Sequence, residues 1–327
     1  MSSQRYKFSN VKSKDILRFT KEELSGGKSL VGYTINSVDG AITAFKNEDP
    51  LGIGISSISS NGTIRVISNV LDLSNLVVGS TFKLGKYQVE NETPWPIEWE
   101  IVHQESNYQI AMTKQIIDLR CFDGKEPTNP NSDRKNNGNN NWQYSNIEQF
   151  LNSDQASWYS AQHQYDVPPN SANTSDNPYD THKGFLYHWN EDEKKLLKDM
   201  TLTLANNSVD GEGSYTWTGK VFLPTYTQMG FGNNNNIAEG VQFSKFTDNA
   251  SRKKTINKYC AENNKYCIDN NKTEGTNWLY LLSSVLPSFS SYVRGVESGG
   301  SVSNYDSAYG GHYGLAPCIC LPDTILI

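Results

Sequence analysis

The sequence predicts a mixed α+β chain in which short antiparallel strands outnumber helices. A small β-rich unit covers residues 1–75 and a larger domain covers 76–327. Three observations carry the prediction. Short apolar runs recur along the chain and are separated by Gly pairs, Asn-Gly, Asp-Gly or Asp-Pro, the punctuation of hairpins. Segments with recognisable helix caps are few and brief. Finally, the chain is polar, with a mean hydropathy of -0.60, yet carries 18 Tyr, 12 Phe and 7 Trp among many Asn, Ser and Gly residues. That composition suits a β-rich, loop-heavy protein making wide polar contacts; an AT-rich genome would also accumulate Asn codons without function.

In the first unit, Lys14 to Leu24 reads as one short helix stopped by Ser25-Gly26-Gly27. Strands then follow at Leu30–Ile35, Ala41–Phe45, Gly52–Ile58 and Thr63–Ile67, separated by Asp39-Gly40, Asp49-Pro50 and Asn61-Gly62. A β unit of this size suits an attachment collar in a larger assembly. The alternative is an extension packed on the main domain.

The second unit opens with strands at Val78–Tyr87, Pro96–Val102 and Tyr108–Met112. Trp142 to Asn152 reads as a helix, with Ser145 as N-cap and Glu148 completing a capping box. Asn190 caps a second helix whose first turn holds Glu191, Asp192 and Glu193. Near the end, Trp278–Leu282, Tyr292–Val296, Ser301–Ser303 and Leu315–Leu321 read as strands around the Gly299-Gly300 turn and a polar loop from Asn304 to Gly311. That region places Tyr305, Tyr309, His312 and Tyr313 among small residues, with Asn304 and Tyr292 beside them, which is the composition of a binding surface.

Composition excludes several classes. A net charge of -6 with pI near 5.5 and no Lys/Arg stripe argues against a nucleic-acid partner. The N-terminus has basic residues with no apolar run behind them, and no stretch approaches the ~20 apolar residues of a membrane span, so a soluble chain made in the cytosol without membrane insertion is expected. Five cysteines, an odd number, do not read as a disulfide framework.

Several separated motifs carry a resemblance. Gly79, Phe82, Gly85, Tyr87, Pro96, Ile97, Trp99 and Val102 match an opening G-x-x-x-x-F-G-x-Y and P-I-x-W-x-V-L. The Trp142 helix, the Asn190 helix and Lys220 to Thr225 follow in order, and the end matches W-L-R-S-P, V-x-x-x-G-x-V and G-V-R-P-A-L at Leu281–Ser284, Val296–Val302 and Gly314–Ile319. Leu282 and Ala316 stand where those motifs have arginines. The region Leu76 to Leu321 thus resembles a large family of uncharacterised bacterial and phage domains, itself similar to the C-type-lectin-like and formylglycine-generating folds. The resemblance implies a C-type-lectin-like domain in which the Trp278 strand and the final strand form a central hairpin. It also implies a protein of a phage or phage-tail-like particle.

Cys260, Cys267, Cys318 and Cys320 could supply thiolates to zinc, but Cys-x-Cys lacks the usual ligand spacing and reads as core. A Cys318–Cys320 disulfide would be strained. The five histidines fall in no catalytic motif. Asp176/Asp180 and Asp210/Glu212 lack the spacing of a calcium loop, and the four asparagines at 233–236 read as an exposed loop. The expectation is a non-enzymatic protein needing no cofactor or metal: a tail or baseplate receptor-binding protein in the virion, assembled in the host cytoplasm. It would be present in several copies, dock on other particle proteins through residues 1–75 and contact a host cell-surface glycan or protein through Tyr305, Tyr309, His312, Tyr313, Asn304 and Tyr292. The alternatives are a decoration protein of capsid or tail, and a formylglycine-generating-like enzyme using Cys318 or Cys320.

Overall fold

The computed structural model describes residues 76–322 except 212, leaving out the side chain of Tyr305, together with the backbone of four strands upstream. The chain separates into a unit that includes Met1–Leu76 and a unit of Val77–Asp323. In the first, β1 (Tyr33–Ile35) pairs antiparallel with β2 (Ala44–Lys46), and β3 (Gly52–Ile58) with β4 (Ile64–Val70). The helix expected over 14–24 lies outside the described residues.

The larger unit opens as a meander of β5 (Thr81–Tyr87), β6 (Trp95–Gln104) and β7 (Tyr108–Thr113). In β6, Trp95, Ile97, Trp99 and Ile101 face the core while Pro96, Glu98 and Glu100 face outward, the period-two pattern of a strand. Pro96 cannot donate to the ladder, and the β5–β6 register shifts beside it. Next come β8 (Asp118–Arg120), α1 (Ser132–Asn137), α2 (Asn146–Leu151), α3 (Glu191–Lys195), the ribbon β9 (Met200–Ala205) with β10 (Ser214–Gly219), and β11 (Val221–Phe222). Three short helices follow, α4 (Asn249–Arg252), α5 (Lys258–Asn263) and α6 (Lys265–Asp269). The chain closes with β12 (Tyr280–Val285), β13 (Tyr292–Val296), β14 (Val302–Ser307), β15 (Tyr313–Leu315) and β16 (Cys318–Pro322). The result is mixed α+β, dominated by strands.

Two five-stranded sheets, ordered β11-β16-β7-β6-β5 and β14-β13-β12-β15-β8, hold the strands of the larger unit other than the β9–β10 ribbon. The last apolar run is therefore two strands rather than one: β15 pairs with β12 and β8, whereas β16 pairs with β7 and β11. The break falls at Ala316-Pro317, where proline supplies no N–H and restricts the residue before it. For the same reason the strand after Trp278 and the final strand form no hairpin; they lie in different sheets. The loop expected from Asn304 begins as strand, because β14 runs on through Ser307 against β13.

The helix signals fare unequally. Asn190 and Glu193 form a reciprocal capping box on α3. At α2, Ser145 accepts from the Glu148 N–H, but the Glu148 carboxylate turns away to Trp217 Nε1 (3.0 Å) and Asn152 (3.1 Å), so the box is half made. A 3₁₀ turn, Trp142–Tyr144, precedes it. The Asn-rich runs divide: Asn233, Asn235 and Asn236 are exposed, in line with the expected loop, and four other asparagines turn inward. Asn139, Asn140, Asn141 and Asn234 are buried. Asn140 donates to the Phe289 and Tyr292 carbonyls at 2.9 and 2.7 Å, and Asn234 donates to Glu239 and to the Val285 carbonyl at 3.0 and 3.1 Å. Buried amide side chains thus find backbone carbonyls at and between the ends of β12 and β13 as partners.

A lone buried lysine has a measurable consequence. Lys254 Nζ donates to the Thr113 carbonyl at 2.5 Å and the Lys114 carbonyl at 3.3 Å. Burial pushes its pKa down to about 8, only partly opposed by Glu100 and Cys318. Between that value and the unfolded one the unfolded chain binds the extra proton, so stability rises with pH across roughly 8 to 10.5 and is lost again as pH falls through 8. Urea unfolding should show wild type gaining about 2 kcal/mol more than Lys254→Met between pH 7.5 and 9.5. An equal gain in both proteins would contradict this assignment.

Candidate functional site

A polar cleft of about 330 Å³ lies in the larger unit between the segment after β5 and the segment before α3. Tyr87, Gln88, Glu90 and Asn91 form one wall, and Thr181, His182, Lys183, Gly184 and His188 the other. Asn91, Thr181 and Lys183 are exposed, whereas Gln88, Glu90, His182 and His188 are half-buried. Gly184 lets the second wall pass close to the chain at Ser153: a Cβ there would lie 2.4 Å from the Ser153 carbonyl oxygen. His188 Nε2 meets Gln88 Oε1 at 2.9 Å and ties the walls together.

Behind the cleft lies a buried ionic network. Asp118 and Arg120 project from the same face of β8 and pair at 2.8 Å, both side chains fully buried. Asp118 is saturated: Oδ1 accepts from the Leu119 N–H and Asn264 Nδ2, each at 2.8 Å, and Oδ2 accepts from the Tyr87 hydroxyl at 2.6 Å as well as from Arg120. Burial pushes the Asp118 carboxyl up, and Arg120, Tyr87 and Asn264 pull against it. Arg120 also donates to the Val89 carbonyl (2.9 Å), the Asn177 carbonyl (3.4 Å) and His182 Nδ1 (3.0 Å). Asn177 presents that carbonyl from a left-handed conformation (φ 45°) that Asn tolerates better than most residues.

The network reaches the cleft through His182. A guanidinium can only donate, so His182 Nδ1 must accept, which leaves Nε2 to donate to Glu90 Oε2 at 3.4 Å. Burial would raise the Glu90 carboxyl, but the His182 hydrogen bond and the Arg120 charge outweigh it and hold Glu90 below its usual value. The cleft therefore presents a fixed anionic acceptor beside the amides of Gln88 and Asn91, the Thr181 hydroxyl and the Lys183 ammonium.

Of the aromatic and polar residues expected to form a binding surface, Tyr309, His312, Tyr313, Asn304 and Tyr292 are held mostly by contacts within the chain. Tyr313 is 7% exposed, with its ring against Gly310 where a Cβ would clash, so it supplies little contact surface. Tyr309 is half-buried with Lys125 Nζ 4.4 Å from its ring centroid, and Tyr292 packs edge-on against Phe289. Asn304 accepts from Arg294. His312 stacks on Tyr266 with centroids 5.3 Å apart and faces Asp176 Oδ2 at 3.3 Å. Tyr305's side chain lies outside what is described. None of these residues lines the cleft.

The other candidates resolve simply. Asp210 pairs with Arg134 at 2.6 Å and accepts from Asn141 and Asn207. Cys318 and Cys320 are buried, and burial raises both thiols, Cys320 to about 11. Among the described residues, no group of three or more His, Cys, Asp or Glu side chains is arranged to hold a metal ion, and no helix is long and apolar enough to cross a membrane. Sequence reading missed Asp118 and Arg120. Their signal was present: opposite charges two residues apart inside the apolar stretch Ile116 to Phe122, which in a strand share one face.

No curated protein and no solved structure matches the chain. Residues 107–323 match the family model described as Domain of unknown function (DUF6273), starting at the turn before β7 and ending just past β16. Since that match covers about two thirds of the chain, the protein belongs to the DUF6273 family.

Proposed function

We propose that this chain is a non-catalytic binding protein whose larger unit recognises a hydroxyl-rich cell-surface ligand, a glycan in the first instance, in the cleft between residues 87–91 and 181–188. The observation that carries the reading is the lining itself. Amide, hydroxyl, carboxylate, imidazole and ammonium groups converge on one concavity, and a buried network orients two of them, His182 and Glu90. Such an alternation of donors and acceptors suits a polyhydroxylated ring better than an apolar cofactor. Burial raises the Cys318 and Cys320 thiols, which disfavours them as nucleophiles and supports the non-catalytic reading.

The setting we infer is the tail or baseplate of a phage or phage-tail-like particle, with residues 1–75 docking on other particle proteins and several copies summing weak contacts. The motif resemblance supports it, as does a C-type-lectin-like reading of the larger unit. In favour of that reading, the closing strand β16 returns to pair beside the opening meander. His312, stacked on Tyr266 and 35% exposed at its side chain, is the member of the aromatic group best placed for an additional contact.

The test is binding of the full-length chain to intact host cells and purified cell-wall fractions. Asn91→Ala/Thr181→Ala should weaken binding about tenfold, the loss of two hydrogen bonds, with unfolding unchanged. Tyr309→Ala/His312→Ala should weaken it less. Saturable binding untouched by the cleft variant, or the reverse ranking, would move the site to the C-terminal aromatics. No binding by the folded chain would favour a decoration role.

A further inference from the structure

We infer that Cys260 and Cys267 are an oxidation site that closes to an intrachain disulfide; this stands independently of the functional reading. The two thiols belong to a tandem repeat, Asn257-Lys258-Tyr259-Cys260 and Asn264-Lys265-Tyr266-Cys267, two identical four-residue words seven positions apart. Each word folds the same way. Its Asn caps a single helical turn by accepting from the N–H of its own Cys, at 2.8 Å on α5 and 3.3 Å on α6. Its Tyr stacks outward on a neighbouring ring, Tyr259 on Trp95 at 4.3 Å and Tyr266 on His312 at 5.3 Å. Its Cys turns inward, so the repeat brings the sulfurs face to face at 3.7 Å, both residues fully buried.

Sulfurs at van der Waals distance need close only to the bond length of about 2.05 Å, and side-chain rotation at the corner between two one-turn helices can supply most of that movement. No metal is needed to explain the pair, since no third ligand joins it among the described residues. Cys318 and Cys320, two apart on one strand, pair opposite Met112 and Ile110 and cannot approach each other in the same way. Asn264 sits between the two cysteines in sequence and donates Nδ2 to Asp118 Oδ1 at 2.8 Å, so the cross-link would fasten the corner that holds the buried Asp118–Arg120 pair.

A peroxide is an oxidant small enough to reach the pair. One thiolate attacks a peroxide oxygen, the O–O bond breaks and a sulfenic acid forms with loss of hydroxide. The second sulfur then attacks the sulfenic sulfur and expels its hydroxyl as water. In sum, two thiols and one hydrogen peroxide give one disulfide and two waters. Burial pushes the Cys260 thiol up, so little thiolate exists in the closed form and the reaction proceeds through local opening of α5 and α6.

The experiment treats the full-length chain with hydrogen peroxide, both folded and during refolding from urea, then alkylates the remaining thiols and maps peptides by mass spectrometry. The expected result is a loss of about 2 Da, a peptide linking Cys260 to Cys267, and a Tm raised by roughly 5 °C. Cys260→Ser and Cys267→Ser, each folded when reduced, should lose the link and the Tm shift together. Cys260 and Cys267 both alkylated after either treatment, or over-oxidised without a link, would overturn the assignment.

Discussion

Replacing Arg120 by Met is expected to destabilise the larger unit by about 3–5 kcal/mol, the largest effect of any single side-chain change in the charge network. The cost is not the value of the ion pair itself. It arises because Asp118 is left fully buried with its strongest partner gone, and because the Val89 and Asn177 carbonyls and His182 Nδ1 lose a donor at the same time. Removing both charges should therefore cost less than removing one, and Asp118→Asn/Arg120→Met should recover much of the loss. The pH dependence has a definite sign. Without Arg120 the Asp118 carboxyl rises further above its unfolded value, so the native state of the variant holds a proton that the unfolded chain releases. The penalty then grows as pH rises from the ordinary carboxylate range toward neutrality. Urea unfolding followed by tryptophan fluorescence at pH 5 and 7 would check both points. A double variant as unstable as Arg120→Met would show that packing, not the orphaned charge, sets the loss.

Gly311→Ala is expected to be the most damaging single-methyl addition near the site, costing about 1–3 kcal/mol or more. A Cβ at Gly311 would lie 1.8 Å from the Asp176 carbonyl oxygen and 2.4 Å from its carbon, so the obstacle is backbone that no rotamer change relieves. Moving residue 176 drags its neighbour Asn177, whose Nδ2 grips the Gly311 carbonyl at 2.7 Å and whose own carbonyl faces Arg120. The same methyl should therefore loosen both the chain at 310–313 and the back of the cleft. By contrast, Gly299→Ala meets nothing within 4 Å and should fall within about 0.5 kcal/mol of wild type. Thermal unfolding of the two variants side by side measures the difference, and equal Tm values would contradict the close approach.

These effects also show what could be read from the chain in advance. Strand alternation in β6, the Asn190 cap and the Gly pair before β14 are local features whose residues interact within a few positions, and they stand where the sequence places them. The split between β15 and β16 was signalled by Pro317, yet the apolar run around it is continuous, so period alone could not reveal a change of sheet. The Asn runs were legible in part: Asn233, Asn235 and Asn236 are exposed as expected, whereas Asn139 to Asn141 and Asn234 are buried, because an amide caps backbone inside a protein as readily as it meets water outside. The cleft lies at the far end of legibility. Arg120 meets His182 62 positions away and Tyr87 meets Asp118 31 positions away, and the wall 181–188 follows no periodic pattern. A rule of pairwise spacing finds none of these contacts. What sequence did offer was the Asp118/Arg120 doublet in an apolar strand and the repeated Asn-Lys-Tyr-Cys word, both of which mark side chains committed to the interior.

The most direct test of the cleft assignment is hydrogen exchange of the full-length chain, read by mass spectrometry with and without soluble fragments of host cell-wall glycan. The predicted result is saturable protection in peptides covering 87–91 and 181–188, lost in Asn91→Ala/Thr181→Ala. Saturable binding that protects 304–313 and leaves the cleft peptides unchanged would contradict the account.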